Sequence, residues 1–435
     1  MKMIREAVII AGGKGTRISR LFPDIPKPLI PIDGVPIIER QILQMKKYGV
    51  EKFYITVGYK GDLIKNYLRD GSKLEVEIEY IEEKEPLGTA GALFYLKNKI
   101  TKDFIISMGD LIYDVSWKRA FEFHQRVSAD LTLLIHPNDH PYDSDIVIVD
   151  KTGRVIGWLP KNLERKKPYR NIVNSGLYIA TPKILEFIEK PVKTDLEKDV
   201  VFSNLDKMCI YGYRTSEYIK DVGTPERYDR VKTDIKRDLI SKRNLDKPQK
   251  AIFLDRDGTL NKYKGFITDW REIELEEGVV EGLKQINRSE YLAIVVTNQA
   301  VVAFGKCSEE DVDMMHARLD TLLGKEGAYV DDIFYCPHYP ERGYPGERVE
   351  YKIDCECRKP KTGLLEKAAE KYNIDLKKSW LIGDSTVDIQ TAKNAGIKSI
   401  LVLTGLKGTD GKYNVKPDYI ASNLKEAVGI VLKIG

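Results

Sequence analysis

Two doubly wound α/β domains in series are what this sequence predicts, on three observations. Short apolar runs rich in Val and Ile alternate with stretches of helical spacing, a pattern that builds largely parallel sheets covered by helices. The pattern restarts at Ala251, where a second apolar run ends in a carboxylate-bearing loop. Between the two series lies DIKRDLISKRNLDKPQK, polar and charged, with Pro248 just ahead of the new run. The expected domains are residues 1–237 and 250–435, joined by a linker over 238–249. A chain of 435 residues has room for two to three domains.

The elements follow in order. AVIIAGG reads as a buried strand ending in a glycine loop, and PIIERQILQMKKYGV as a helix stopped at Gly49. KFYITVGY is the next strand and GDLIKNYLRDG the next helix. DFIISMGD, ADLTLLIH, IVNSGLYIA and MCIYGYR continue the strand series. In the second half AIFLDRDGTL opens the series and EGLKQINRSEYLAIVVTNQA supplies a helix and a strand. EEDVDMMHARLDTLL is helical, and DDIFYCPH, KSWLIGDS and KSILVLTG are further strands.

Composition narrows the partners. Hydrophobic residues make up 42% and charged residues 31%, an ordinary mixture for a folded water-soluble chain. Seventy Lys and Arg against 66 Asp and Glu leave a net charge of +4, too balanced to suggest nucleic acid or a membrane surface. No apolar run approaches the roughly 18–20 residues of a membrane span. Arg5 and Glu6 interrupt the opening apolar run, which is a poor signal peptide. A cytoplasmic protein is expected, and a homo-oligomer is left open.

The loop Ala11-Gly12-Gly13-Lys14-Gly15-Thr16-Arg17 follows the first strand. Glycines let backbone N–H groups approach a phosphate chain, and Arg17 supplies countercharge. Ten residues on, Pro26-Lys27-Pro28 holds a lysine on a stiff segment, where its amine can bridge two phosphates. The spacing matches neither the dinucleotide fingerprint nor the phosphate loop ending in Gly-Lys-Ser/Thr.

GGKGTRISRLFPDIPKPLIPI resembles the signature of the sugar-1-phosphate nucleotidyltransferases, especially the mannose- and heptose-phosphate guanylyltransferases. The resemblance runs over residues 4–235 and continues in order. Glu85-Pro86-Leu87-Gly88-Thr89 resembles the base-contacting loop, and Asn174-Ser175-Gly176 the sugar-contacting segment. Asp110 after Met108-Gly109, and Asp221 before Val222-Gly223-Thr224-Pro225, resemble the two carboxylates that hold Mg2+. The resemblance implies a Rossmann-like domain that binds GTP and a sugar phosphate. A sugar 1-phosphate oxygen would attack the α-phosphorus and release pyrophosphate. Arg17 and Lys27 would screen the charge; Glu83 and Glu85 both stand as acceptors for guanine N–H groups. The family's Glu-Lys-Pro before the Asn-x-Gly strand is replaced by Trp158-Leu159-Pro160-Lys161-Asn162 and, further on, Lys167-Pro168.

In the second half Asp255-Arg256-Asp257-Gly258 ends an apolar strand with two carboxylates two residues apart. The first is placed to attack phosphorus, the second to move protons to and from the leaving oxygen and water. This resembles the first motif of the haloacid dehalogenase superfamily. Thr297-Asn298, Lys359 and Asp384 resemble the remaining motifs. The resemblance implies a Mg2+ site at Asp255, Asp257 and Asp384, and substrate contacts from Arg358 and Lys359.

Cys336-Pro337-His338, sixteen residues, then Cys355-Glu356-Cys357 give three thiolates and an imidazole, a closed tetrahedral set that suits structural Zn2+. With that loop the second half resembles the D-glycero-D-manno-heptose 1,7-bisphosphate phosphatases and the related histidinol phosphatases. Phe304 stands where those relatives carry arginine. Together the two halves imply consecutive steps toward a GDP-heptose. The alternative is a mannose-1-phosphate guanylyltransferase fused to a histidinol-phosphate-like phosphatase.

Overall fold

The computed structural model describes residues 4–13, 17–18 and 20–434. The chain forms two compact units. One comprises Met1–Ile135, Val147–Trp158 and Asn174–Asn244; the other comprises His136–Ile146, Leu159–Val173 and Leu245–Gly435. Residues 238–249 include a one-turn helix, Leu239–Lys242, and the division falls between Asn244 and Leu245. Asn244 is buried and its amide donates to Asp114 at 2.6 Å, which ties the end of the first unit to its own body.

In the first unit the parallel core of the sheet runs Phe104–Met108, Glu6–Ile10, Lys52–Val57, Glu77–Glu82. The helices Ile37–Lys46 and Gly61–Leu68 lie in the crossovers, as their spacing predicts. Ala7 and Ile9 point into one apolar layer with Ile38, Ile42, Phe53 and Ile55. Each fully buried side chain of this size contributes about 1.5–3 kcal/mol. Where the sequence predicts a largely parallel sheet, Val173–Ala180 runs antiparallel to Phe104–Met108. A parallel return needs a long crossover, usually a helix, and no α-helix lies between Leu131–His136 and Val173–Ala180.

The second unit carries a six-stranded sheet in the order Asp332–Cys336, Tyr291–Asn298, Lys250–Leu254, Trp380–Gly383, Lys398–Val402, Tyr419–Ala421. All neighbours are parallel. Alternation along Lys250–Leu254 sends Ile252 and Leu254 to one apolar layer and Ala251 and Phe253 to the other, so both faces are covered. The first strand in sequence lies in the middle of the sheet. Chain direction reverses there, and ligands of open α/β sheets bind outside the carboxyl ends of the strands at such a point. Asp255, Asn298 and Asp384 all lie at those ends.

No described helix is long and apolar enough to cross a membrane.

Candidate active sites

In the first unit Ala11 leaves the central strand with its N–H on Thr56, which directs the following loop across the strand ends. Gly12 lies close against Glu83: a Cβ there would be 2.5 Å from Glu83 Oε1 and would displace that carboxylate. A Cβ on Gly13 would meet nothing within 4 Å among the described residues. Gly15 and Thr16 lie outside the described residues. Lys27 makes an ion pair with Asp110. The Gly109-Asp110 turn is braced by Gln41, whose amide donates to Met108 O at 2.9 Å and Leu111 O at 2.7 Å.

Asp110 and Asp221 come together through the backbone. Leu111–Asp114 pairs antiparallel with Tyr218–Asp221, Leu111 opposite Asp221, and Val222 N donates to Asp110 O at 2.9 Å. A methyl placed on Gly223 would sit 2.5 Å from the Asp221 carboxylate and 3.6 Å from Arg17 Nη2, so Arg17 reaches this corner too. Arg227 Nη1 donates to both oxygens of Asp221 at 2.8 Å. No sequence motif marks Arg227. Its signal is Thr224-Pro225, which caps the helix Pro225–Lys236 and puts Arg227 on the first turn beside Asp221.

The base loop separates the two glutamates. Glu85 is exposed. Glu83 accepts Leu87 N at 3.0 Å through Oε2, while its Oε1 is buried with no hydrogen-bond partner among the described residues. Gly88 has φ +74°, and a Cβ there would lie 2.4 Å from Thr194 O. Thr89 Oγ1 accepts Leu196 N at 2.7 Å. Asn174 donates to Glu197 at 2.7 Å and to Tyr178 Oη at 2.6 Å, and its Oδ1 accepts Gly176 N at 3.3 Å. Glu197 is a second residue that no sequence motif marks.

In the second unit Lys359 Nζ sits between Asp255 at 2.8 Å and Asp388 at 2.5 Å. Oxygens of Asp255, Asp384 and Asp388 all lie within 4.8 Å of one another, close enough to hold one metal ion. Burial, then Asp388, push Asp255 up to about 6. Burial, then Asp255 and Asp388, push Asp384 up to about 8. Burial opposes the charge on Lys359, but Asp255 and Asp388 outweigh it and hold the amine above the ordinary lysine range. Asn298 clamps this lysine from both sides of its peptide: Oδ1 accepts Lys359 N at 3.0 Å and Nδ2 donates to Lys359 O at 3.1 Å. Gly258 and Gly405 enclose Asp384, for a Cβ at either would come within 2.2 Å of Asp384 Oδ2.

Asp257 is placed differently from its expected role as a metal ligand. Arg256 Nη2 and Gln299 Nε2 donate to its Oδ2 at 2.8 Å, and Asn261 Nδ2 to its Oδ1 at 3.0 Å. Its carboxylate is not part of the trio whose oxygens lie within 4.8 Å of one another, although its charge still acts on Asp255. Asp388 takes the third place. It also accepts from Ser385 N and Oγ as the N3 residue of a capping box, which is how its sequence position reads. Thr297 Oγ1 accepts from Gln299 Nε2 at 3.0 Å.

Cys336, His338, Cys355 and Cys357 converge. Cys357 Sγ lies 3.3 Å from Cys355 Sγ and 3.4 Å from His338 Nδ1, and Cys336 Sγ lies 3.5 Å from Cys355 Sγ. These sulfurs are far outside the roughly 2.05 Å of a disulfide. Cys336 first, then Cys355 and His338, stabilise the Cys357 thiolate and pull it down to about 5. Three sulfurs and an imidazole in this arrangement are a metal-binding donor set. The loop delivers Arg358, whose Nη1 donates to His338 O at 3.0 Å, directly before Lys359. Phe304 packs against Tyr339 and Tyr344, with ring centroids 4.8 and 4.7 Å away.

A nucleotidyl transferase family model matches residues 6–238, and a HAD-hydrolase-like model matches residues 356–427. The chain is 38% identical over 185 residues to the D-glycero-beta-D-manno-heptose-1,7-bisphosphate 7-phosphatase of Haemophilus ducreyi, covering 42% of this chain and 98% of that one. It is 29% identical over 232 residues to the D-glycero-alpha-D-manno-heptose 1-phosphate guanylyltransferase of Aneurinibacillus thermoaerophilus, covering 53% and 98%. It is 30% identical over 237 residues to the mannose-1-phosphate guanylyltransferase of Mycobacterium tuberculosis, covering 54% of this chain and 65% of that one.

Proposed function

The chain belongs to the nucleotidyl transferase family through its first half and to the heptose-bisphosphate 7-phosphatase family through its second, and we propose that it catalyses two consecutive reactions. The second half removes the 7-phosphate of D-glycero-D-manno-heptose 1,7-bisphosphate. The first transfers GMP from GTP to the resulting heptose 1-phosphate and releases pyrophosphate. One observation supports the pairing: this chain covers 84% of the D-glycero-alpha-D-manno-heptose-1,7-bisphosphate 7-phosphatase of Photorhabdus laumondii and 98% of a D-glycero-alpha-D-manno-heptose 1-phosphate guanylyltransferase, so the product named for one is the substrate named for the other.

In the phosphatase half, Asp255 attacks phosphorus as the P–O bond to the sugar breaks, giving an aspartyl-phosphate. Asp257, fixed by Arg256, Gln299 and Asn261, protonates the departing sugar oxygen and then takes a proton from the water that opens the phosphoaspartate. Lys359 and Thr297 steady the transferring phosphoryl. Asp255, Asp384 and Asp388 fit Mg2+, a hard cation that prefers oxygen ligands and would screen the phosphoryl charge. The Cys3His set fits Zn2+ in a structural role. Unpaired thiolates suit a reducing, cytoplasmic compartment.

In the transferase half, the Ala11–Gly13 backbone and Arg17 hold the triphosphate. Lys27 screens the α-phosphate as the sugar phosphate attacks. Asp110 and Asp221 are the carboxylates available to Mg2+. Glu83 reads guanine: its unpaired buried Oε1 is an acceptor suited to the base N–H groups. Asn174 and Gly176 position the sugar.

A second reading, guanylyl transfer to mannose 1-phosphate, is favoured by the M. tuberculosis relative. A substrate matrix separates the two: GTP, ATP, UTP and CTP against heptose and mannose 1-phosphates of both anomers, followed by pyrophosphate release. GTP with a heptose 1-phosphate should give the highest kcat/KM. A mannose 1-phosphate at least tenfold better would replace the first reading with the second.

A further inference from the structure

The segment that stands in place of the family's Glu-Lys-Pro does something else in this chain. Residues 159–173 pack within the second unit, on the helix Glu309–Lys325. Tyr169 N donates to Thr321 Oγ1 at 3.0 Å, and Arg170 Nε donates to the buried carboxylate of Asp320 at 2.7 Å. Beside these bonds opens a cleft of about 320 Å³. Six cations line it: Lys161, Arg165, Lys166, Lys167, Arg318 and Lys325. None of its lining residues is acidic, and none belongs to either reaction centre.

A run of lysines is usually a solvated face. Three features separate this one. The cations surround a concavity that also holds Trp270 and Tyr142. Arg318 Nε is buried and has no hydrogen-bond partner among the described residues. Elsewhere in the chain several surface lysines pair with acids, as Lys65 does with Glu82, Lys264 with Glu274 and Lys361 with Asp354. Here the acid nearest in sequence to Arg318, Asp320, is already held by Arg170. Like charges gathered without countercharge attract a multiply charged anion.

We propose that this cleft binds a compact ligand carrying two phosphate groups. Its volume lies at the small end of ligand pockets, about 300–1,000 Å³. Two sources share this chemistry: inorganic pyrophosphate and a sugar bisphosphate. The charge argument stands without the proposed reactions, which only suggest the probes.

The test is a titration of the zinc-loaded full chain, without added Mg2+, with inorganic pyrophosphate and with fructose 1,6-bisphosphate. Trp270 fluorescence and calorimetry report binding. The triple variant Lys166→Ser, Lys167→Ser, Arg318→Ser should bind at least tenfold more weakly, with unchanged melting and both reaction rates within twofold. Trp270→Phe should lose the fluorescence change and keep the calorimetric signal. Tighter binding of one probe identifies the source. Equal affinity of the triple variant and the unaltered chain, or an equal response to sulfate at matched ionic strength, overturns the proposal. Loss of heptose turnover alone would count against the proposed function and leave this titration unaffected.

Discussion

In the first unit the two carboxylates of the phosphate site each have a basic partner of their own: Asp110 holds Lys27, and Asp221 holds Arg227. In the second unit three buried carboxylates, Asp255, Asp384 and Asp388, crowd around one lysine. With Arg17 also at the Asp221 corner, the first site carries no excess of negative charge, and in the proposed reaction its task would be to align two ligands and screen their charge. The second carries excess negative charge where water is scarce, and burial raises Asp255 and Asp384 accordingly. A cation bound by these carboxylates would relieve that cost, and in the proposed mechanism Asp255 would serve there as the nucleophile. The difference teaches that two phosphoryl chemistries can be distinguished by who pairs with the carboxylates.

Four substitutions or treatments break or sharpen this contrast. The largest effect is expected from Asp255→Asn, which should lower phosphate release by on the order of 10⁴-fold or more, since it removes the proposed nucleophile. Pyrophosphate release from GTP and a sugar 1-phosphate should stay within twofold. Loss of both activities would break the two-site account. The mirror experiment is Lys27→Met. Pyrophosphate release should fall by about 10²–10³-fold, as for other groups that stabilise transition-state charge, with phosphate release unchanged.

Zinc removal bears on stability. Chelation, or Cys357→Ser, should lower the melting temperature of the second unit and leave the first unit's transition in place, because the polar loop between the ligand pairs has little apolar surface to hold it. A single uniform transition, or no zinc by elemental analysis, would contradict the structural role.

The smallest effect concerns His316. It is fully enclosed, and burial, then Arg256 and Arg170, hold its pKa well below the ordinary imidazole value. A base with a depressed folded pKa takes up its proton more readily unfolded. Stability is therefore lost as pH falls below about 6.5, by at most about 1.4 kcal/mol per pH unit. His316→Leu should flatten the second unit's stability between pH 6.5 and 5, measured by urea titration. An unchanged slope would show that other groups set the acid limit.

What could be read from the sequence follows how local each signal is. Asp255, Lys359 and Asp384 end strands or follow a distinctive cysteine pair, and the structure brings them together. Asp388 hides in plain view, because a Ser-x-x-Asp at a helix start already has a full explanation as a cap. Arg256 and Gln299 reach Asp257 only because of how the loops fold over the strand ends. Glu83 and Glu85 are equivalent on paper. They are separated by the close approach of Gly12 to Glu83. The seating of residues 159–173 on Asp320 and Thr321 depends on partners some 150 residues away, which no motif encodes.

The most direct measurement follows one reaction mixture by phosphorus NMR: the full chain, heptose 1,7-bisphosphate, GTP and Mg2+. Inorganic phosphate, pyrophosphate and a GDP-sugar should accumulate in equal amounts, with phosphate appearing first. Phosphate without any GDP-sugar, or pyrophosphate released while the bisphosphate stays intact, would contradict the claim that one chain carries both steps.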